Sequence, residues 1–258
     1  MWYVKSFTGS FCLLISLSCL LYVTIFLYDI DDLYVLPLIA LVCLLNVTLR
    51  SPGCISTRAE CIKEPTEKQA LLMEKYAPMR RGGILQPPHA HYSHVLNAVV
   101  LDYDHFCFWA NNGIGLLNLR YFIQFLFWTF CTCVYCLYYI LAYLYNCTRG
   151  HRMSCTWLYW HDHETMVIVV GSFLFGMFSL AILVGQLRNL SSGLNNVDNA
   201  KGVENGRYGS FYRFFGSYTP IGWVLPTPNT DVLYEHGKKS VSKCAAVLED
   251  ADIKIIYK

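Results

Sequence analysis

Four stretches of this chain, 11–28, 33–49, 121–145 and 165–187, contain no Asp, Glu, Lys or Arg. A helix needs about 20 mainly apolar residues to cross the hydrocarbon of a bilayer, with a lower limit near 17. The third and fourth stretches exceed that length. The first two lie near it and are separated only by Asp29-Ile30-Asp31-Asp32, which reads as a tight helical hairpin. Lys5 ahead of the first stretch would also suit a signal peptide. Against that, no small-x-small cleavage site precedes Asp29, and a second apolar stretch follows at once. Composition agrees with a membrane protein: 55% of the residues are hydrophobic and 15% charged, where a soluble domain carries about 25% charge. A net charge of +2 lacks the basic excess of a nucleic-acid binder. The twelve cysteines fall mostly in apolar stretches, where Cys acts as a small hydrophobe.

The expected fold is an α-helical polytopic membrane protein, with four transmembrane helices and a cytosolic loop domain between spans 2 and 3. Orientation follows from Lys and Arg, which concentrate on the cytosolic side. The amino terminus has one and the first short loop none; 50–120 has eight, 146–164 two, and the tail from 188 nine. Both termini and the central loop are therefore expected in the cytosol. The division is 1–49, two spans; 50–120, the loop domain; 121–187, spans 3 and 4 with a short luminal loop; and 188–258, a cytosolic tail. An endomembrane (ER or Golgi) or the plasma membrane would house it. The last twenty residues, mostly polar, are expected to be mobile. No span carries an ionised residue of the kind that marks an ion pathway.

The central loop contains Asp104-His105-Phe106-Cys107 and then Phe108-Trp109-Ala110-Asn111-Asn112-Gly113-Ile114-Gly115. A thiolate is the reactive form of Cys, a neighbouring His can take its proton, and a carboxylate can orient that His. The same residues also fit a plainer reading, with Cys107 a buried hydrophobe between two phenylalanines and His105 at the surface. The His161-Asp162-His163-Glu164 run reads as a polar loop, since neighbours two apart diverge on a helix. Cys131, Cys133 and Cys136 read as packing residues of the third span or as acylation sites. The spacing of Gly171 and Gly176 suits close helix contact.

The text around Cys107 resembles the cysteine-rich domain of the DHHC protein S-acyltransferases, or palmitoyltransferases. The family pattern K-P-P-R-S-H-H-C, then D-H-H-C-P-W-V-N-N-C-V-G-x-x-N-x-x-x-F, reads here as Q-P-P-H-A-H-Y-S, then D-H-F-C-F-W-A-N-N-G-I-G-L-L-N-L-R-Y-F. Ser51-Pro52-Gly53 is similar to the family's D-P-G. Asn195-Asn196-Val197-Asp198 stands where T-T-x-E is expected, and Phe214-Phe215-Gly216 with Trp223-Val224-Leu225-Pro226 is similar to the C-terminal elements.

The resemblance implies an enzyme that moves a long-chain acyl group from acyl-CoA, typically palmitoyl-CoA, to a cysteine of a substrate protein. Its partners would be the lipid bilayer, acyl-CoA and cysteine-containing proteins, with no nucleic acid. Cys107 would be the nucleophile, His105 the general base and Asp104 the residue that orients it. Trp109, Asn111, Asn112 and Asn118 would support the site, and Asn196 would stand near Asp104 in place of the second Thr of T-T-x-E. Members of the family bind two zinc ions in this loop. The corresponding positions here are Met79, Gly82, Tyr92, Ser93, Leu96, Val99, Phe106 and Gly113, with neither thiolate nor imidazole among them. No metal site is expected, and no bound cofactor. His89, His91 and His94 read as a polar cluster, while Tyr92, Leu96, Val99 and Phe106 would form an apolar substitute for the metal. The lost zinc positions equally suit a catalytically inactive relative that scaffolds or regulates a partner. Retention of Asp104, His105 and Cys107 suits the enzyme.

Overall fold

The computed structural model describes residues 6–28, 34–57, 90–148, 162–192, 215, 220–226 and 253–256. Its helices are α1 (Phe7–Tyr28), α2 (Val35–Leu49), α3 (Leu119–Thr148), α4 (Asp162–Ser192) and the short α5 (Pro220–Val224). Its strands are β1 (Cys54–Thr57), β2 (His91–Ser93), β3 (Ala98–Val100), β4 (His105–Cys107), β5 (Asn112–Ile114) and β6 (Ile253–Ile256). Among the described residues, three helical segments are long and apolar enough to cross a membrane: Phe7–Ile25, Leu119–Cys147 and Thr165–Ser191. The chain is thus a polytopic membrane protein. The expected second span is a shorter apolar helix of 15 residues, Val35–Leu49. On α4, Met166, Val167, Val170 and Phe173 project outward, as lipid-facing side chains do where lipid replaces water as the solvent.

Ser6 caps α1, accepting a hydrogen bond at Oγ from Gly9 N–H at 3.1 Å, which satisfies one of the first-turn donors that a helix leaves open. At the other end of the hairpin, α2 stops at Arg50, whose backbone is extended. Its last carbonyls find a partner in the loop: Asn112 Nδ2 donates to the carbonyls of Val47 and Arg50 at 2.8 Å and Thr48 at 3.3 Å. Asn118 Nδ2 donates to Gly113 O at 2.8 Å, and its Oδ1 accepts from Gly115 N–H at 2.9 Å. The two amides therefore do for α2 what a side-chain cap does elsewhere, and they hold the loop against the helix end.

The loop folds into two small sheets. One has the order β2-β3-β1-β6 with antiparallel pairing throughout, β6 lying beside β1 in the register Cys54↔Ile256 to Thr57↔Ile253. Residues 253–256, expected in a mobile tail, instead extend this sheet. The other is the hairpin β4-β5, with His105 opposite Ile114 and Cys107 opposite Asn112. Gly115 must be glycine, since a Cβ there would lie 2.6 Å from Pro52 O and 2.9 Å from Leu101 O. In α4, Gly176 lies against Cys133 of α3, but Gly171 faces open space, so close helix contact uses one of the two glycines expected to provide it.

The segment after α4 is tied to α3. Arg120, Gln124 and Trp128 recur every four residues and so share one face of that helix. Arg120 donates to Gly222 O, Gln124 Nε2 donates to the carbonyls of Trp223 and Leu225 at 3.0 and 2.9 Å, and Trp128 Nε1 donates to Val224 O at 2.8 Å. A five-residue helix has few internal hydrogen bonds of its own, and these donors anchor it. Phe215 enters the same core as Leu119, Phe122 and Leu190.

Candidate active site

Alternation along a strand sends residues i and i+2 to the same face. In β4 this puts His105 and Cys107 together and turns Phe106 away, where its ring meets Phe108 edge-on at 5.2 Å. Asp104 precedes the strand and is anchored by its own N–H donating to Ile114 O at 2.9 Å. Its Oδ2 lies 2.7 Å from His105 Nδ1. Asp104 is buried and Cys107 nearly so, at 3% and 5% exposure, and Phe122 of α3 covers the imidazole edge-on at 5.2 Å. The three residues that the sequence singled out as catalytic candidates thus meet in one cluster, and His105 is half-buried within it rather than a surface residue.

Burial by itself pulls the His105 imidazole down. Hydrogen bonds with Asp104 and Cys107, together with the negative charge on both partners, outweigh it and raise His105 to about 9. Cys54, in β1, has no such partner set: burial pushes its thiol up to about 12, and its hydrogen bond with Ser51 offsets only part of that. A buried thiol of this kind is inert.

A cavity of about 480 Å³ opens beside the cluster. Cys107 and His105 form part of its wall, with Ser16, Leu20 and Val23 of α1, Phe122, Leu126 and Cys136 of α3, and Ile168, Phe175 and Ile182 of α4. Phe122 and Cys136 are four helical turns apart, so the cavity runs about 20 Å along α3. That is two-thirds of the roughly 30 Å hydrocarbon core of a bilayer. Trp109 also lines the cavity, its ring 6.1 Å from Phe175 and 6.4 Å from Phe178.

The supporting residues divide by task. Asn112 and Asn118 hold the backbone of the loop, as described above. Asn111 reaches α1, donating through Nδ2 to Ser10 Oγ at 3.1 Å. Asn196, expected near Asp104, lies outside the described residues, as do His89, His161, Met79 and Gly82. A different residue meets the carboxylate. Gln186 of α4 donates from Nε2 to Asp104 Oδ2 at 2.7 Å. The available signal in the sequence was a lone amide near the carboxyl-terminal end of an otherwise apolar stretch, a place where a polar side chain needs a partner.

At the positions that hold zinc in the resembled family, Tyr92, Ser93, Leu96, Val99, Phe106 and Gly113 supply no tetrahedral set of N and S donors. Among the described residues no group of three His, Cys, Asp or Glu is placed to hold a metal ion. Leu96 packs on Gly113, where a Cβ would come within 2.6 Å of Leu96 Cδ1. Ser93 Oγ donates to Tyr103 Oη at 3.3 Å, and Tyr92 Oη donates to Asn97 Oδ1. Of the four residues expected to form an apolar substitute, Val99 is fully buried and Tyr92, Leu96 and Phe106 partly so. The side chains described at these positions do not fit zinc.

Comparison with known proteins bears on the same region. Residues 79–203 match the family model of the DHHC palmitoyltransferases. Palmitoyltransferase ZDHHC15 of Rattus norvegicus is 31% identical over 102 residues, which is 40% of this chain and 29% of the relative. Palmitoyltransferase ZDHHC12 of Mus musculus is 34% identical over 94 residues, 35% of each chain. Probable protein S-acyltransferase 14 of Arabidopsis thaliana is 43% identical over 51 residues, 20% of this chain and 17% of the relative. The chain spans about a third of the length of the first two relatives. The match over 79–203 takes in the whole β4-β5 hairpin with Asp104, His105 and Cys107, so the part of the chain that carries the cluster is the part that is similar to the DHHC palmitoyltransferases.

Proposed function

We propose that the chain is a protein S-acyltransferase, in which Cys107 takes a long-chain acyl group from acyl-CoA and passes it to a cysteine of a substrate protein. The observation that carries this reading is the position of Cys107, hydrogen-bonded to His105 and at the same time in the wall of an apolar cavity. The proton and the acyl chain thus have separate places at one sulfur. A chain lying in the cavity gains about 0.8 kcal/mol for each CH₂ removed from water.

In the first half-reaction the Cys107 thiolate attacks the thioester carbonyl, the carbon–sulfur bond to CoA breaks, and CoA leaves as a thiol with the proton from the His105 imidazolium. The acylated Cys107 no longer offers His105 a charge or a thiolate acceptor. Two of the influences that raise His105 to about 9 are then gone, and its pKa falls. Neutral His105 can therefore take the proton of the incoming substrate thiol, whose sulfur attacks the acyl carbonyl and releases Cys107. Asp104 holds the imidazole and stabilises its charge throughout. In this reading Val35–Leu49 is the second of four spans, and the loop and both termini face the cytosol, where acyl-CoA is available.

The test is incubation of the detergent-purified chain with labelled palmitoyl-CoA. The expected label is sensitive to neutral hydroxylamine, as a thioester is and an amide is not. Cys107→Ser should abolish it, and His105→Ala should slow its appearance by about 10²–10⁴-fold. A wild-type chain that takes up no label would favour the non-catalytic scaffold.

A further inference from the structure

The loop supplies nucleophile, base and carboxylate, but the carboxylate is held from outside the loop. We propose that Gln186 is a positioning residue of this site: its amide fixes the Asp104 carboxylate under His105, so that α4 sets the alignment of the whole cluster. This inference rests on the reading of Cys107 as the nucleophile.

Asp104 Oδ2 accepts two hydrogen bonds of 2.7 Å, one with His105 Nδ1 and one from Gln186 Nε2. Both Asp104 and Gln186 are buried, at 3% and 4% exposure. A carboxylate loses most of its hydration there and stays ionised only if donors replace the water. Among the described residues, groups that face the Asp104–His105 pair are Cys107 and Tyr103 from the loop, the Phe122 ring from α3, and Gln186 from α4. Of these, Gln186 is the neutral donor to the carboxylate that comes from a membrane helix. Removing its N–H would take from Oδ2 one of these two hydrogen bonds, loosen the carboxyl and raise its affinity for a proton. His105 would then lose its negative partner at neutral pH, and with it the alignment of its ring on Cys107.

Gln186 also shares a face of α4 with Ser179 and Ile182, at spacings of seven and four. Both line the cavity. The same helical face thus touches the acyl chain at one level and the carboxylate at the next, so the residue that orients the base belongs to the wall that holds the substrate.

The experiment reads Cys107 without requiring acyl transfer. The full chain in detergent is treated with iodoacetamide across the range from 6.5 to 9 that separates the ordinary and raised His105 values, and alkylation of Cys107 is followed by peptide mass spectrometry. The rate follows the thiolate. Gln186→Met, which keeps the length and suits a membrane helix, should slow alkylation about tenfold, the scale on which second-layer partners act. Gln186→His, which keeps an N–H donor, should recover most of that loss. Asp104→Asn should slow alkylation at least as much, and Gln186→Met in that background should add nothing, because both changes act through one carboxylate. Multiplying losses in the double variant, or a Gln186→Met chain at the wild-type rate, would overturn the proposal. A chain that is alkylated in this pattern yet takes up no acyl label would refute the transferase reading and leave the positioning role in place.

Discussion

At the scale of single residues, the site depends on one imidazole whose charge is set by its neighbours. His105 titrates at about 9 in the folded chain against 6.5 ordinarily. A group raised on folding adds stability that is complete below its unfolded value and is lost as pH climbs through the folded one. The melting temperatures of wild type and His105→Gln should therefore differ most below 6.5 and converge as pH passes about 9. A gap that widens with pH would contradict the assignment. Asp104, His105 and Cys107 were legible in the sequence because they lie within four residues and sit in the pattern of the resembled family; the i, i+2 spacing of β4 then brings the thiol beside the ring. Gln186 was not legible as their partner. It stands 82 positions from Asp104, and only the packing of α4 against the loop brings the amide to the carboxylate.

At the scale of elements, the loop is held by amides and apolar contacts where its relatives' pattern would use metal. Asn112 serves three carbonyls at the end of α2, whereas Asn111 makes a peripheral bond to Ser10. Leaving buried carbonyls unpaired costs about 1–3 kcal/mol. Asn112→Ala should thus lower stability by about that amount in a thermal or denaturant melt, and Asn111→Ala by clearly less. Equal losses would mean that the cap is not what ties the loop to α2. The donor set around Leu96 and Gly113 leads to a second expectation. Elemental analysis of purified protein should find no stoichiometric zinc, and the melt should be unchanged by a strong chelator, since chelators unfold domains that depend on metal. One or two zinc ions per chain would point to ligands such as His89, His91 and His94. The helices were legible from charge-free apolar runs, although the last of them, Asp162–Ser192, extends beyond its run at both ends. The β1-β6 pairing was not, because strands of four residues at 54–57 and 253–256 carry little signal of their own and are joined by tertiary contact.

At the scale of the whole molecule, the arrangement places a polar cluster in the wall of an apolar cavity that runs between α1, α3 and α4. That geometry suits a reaction whose two substrates differ in solubility, an acyl chain that belongs in the bilayer and a thiol that belongs in water. It also separates Cys107 from the other cysteines on physical grounds. Cys54 is buried with its thiol at about 12, and Cys133 and Cys136 line the same cavity about three and four turns along α3 from Phe122, the ring that covers His105. The central claim is that the acyl group passes through one sulfur. Peptide-resolved mass spectrometry of the chain after a short incubation with palmitoyl-CoA tests it directly. The account predicts a hydroxylamine-labile acyl group on the peptide containing Cys107, which disappears when a substrate thiol is added. An acyl group found instead on Cys54, Cys61 or the third-span cysteines, with Cys107 unmodified, would contradict it.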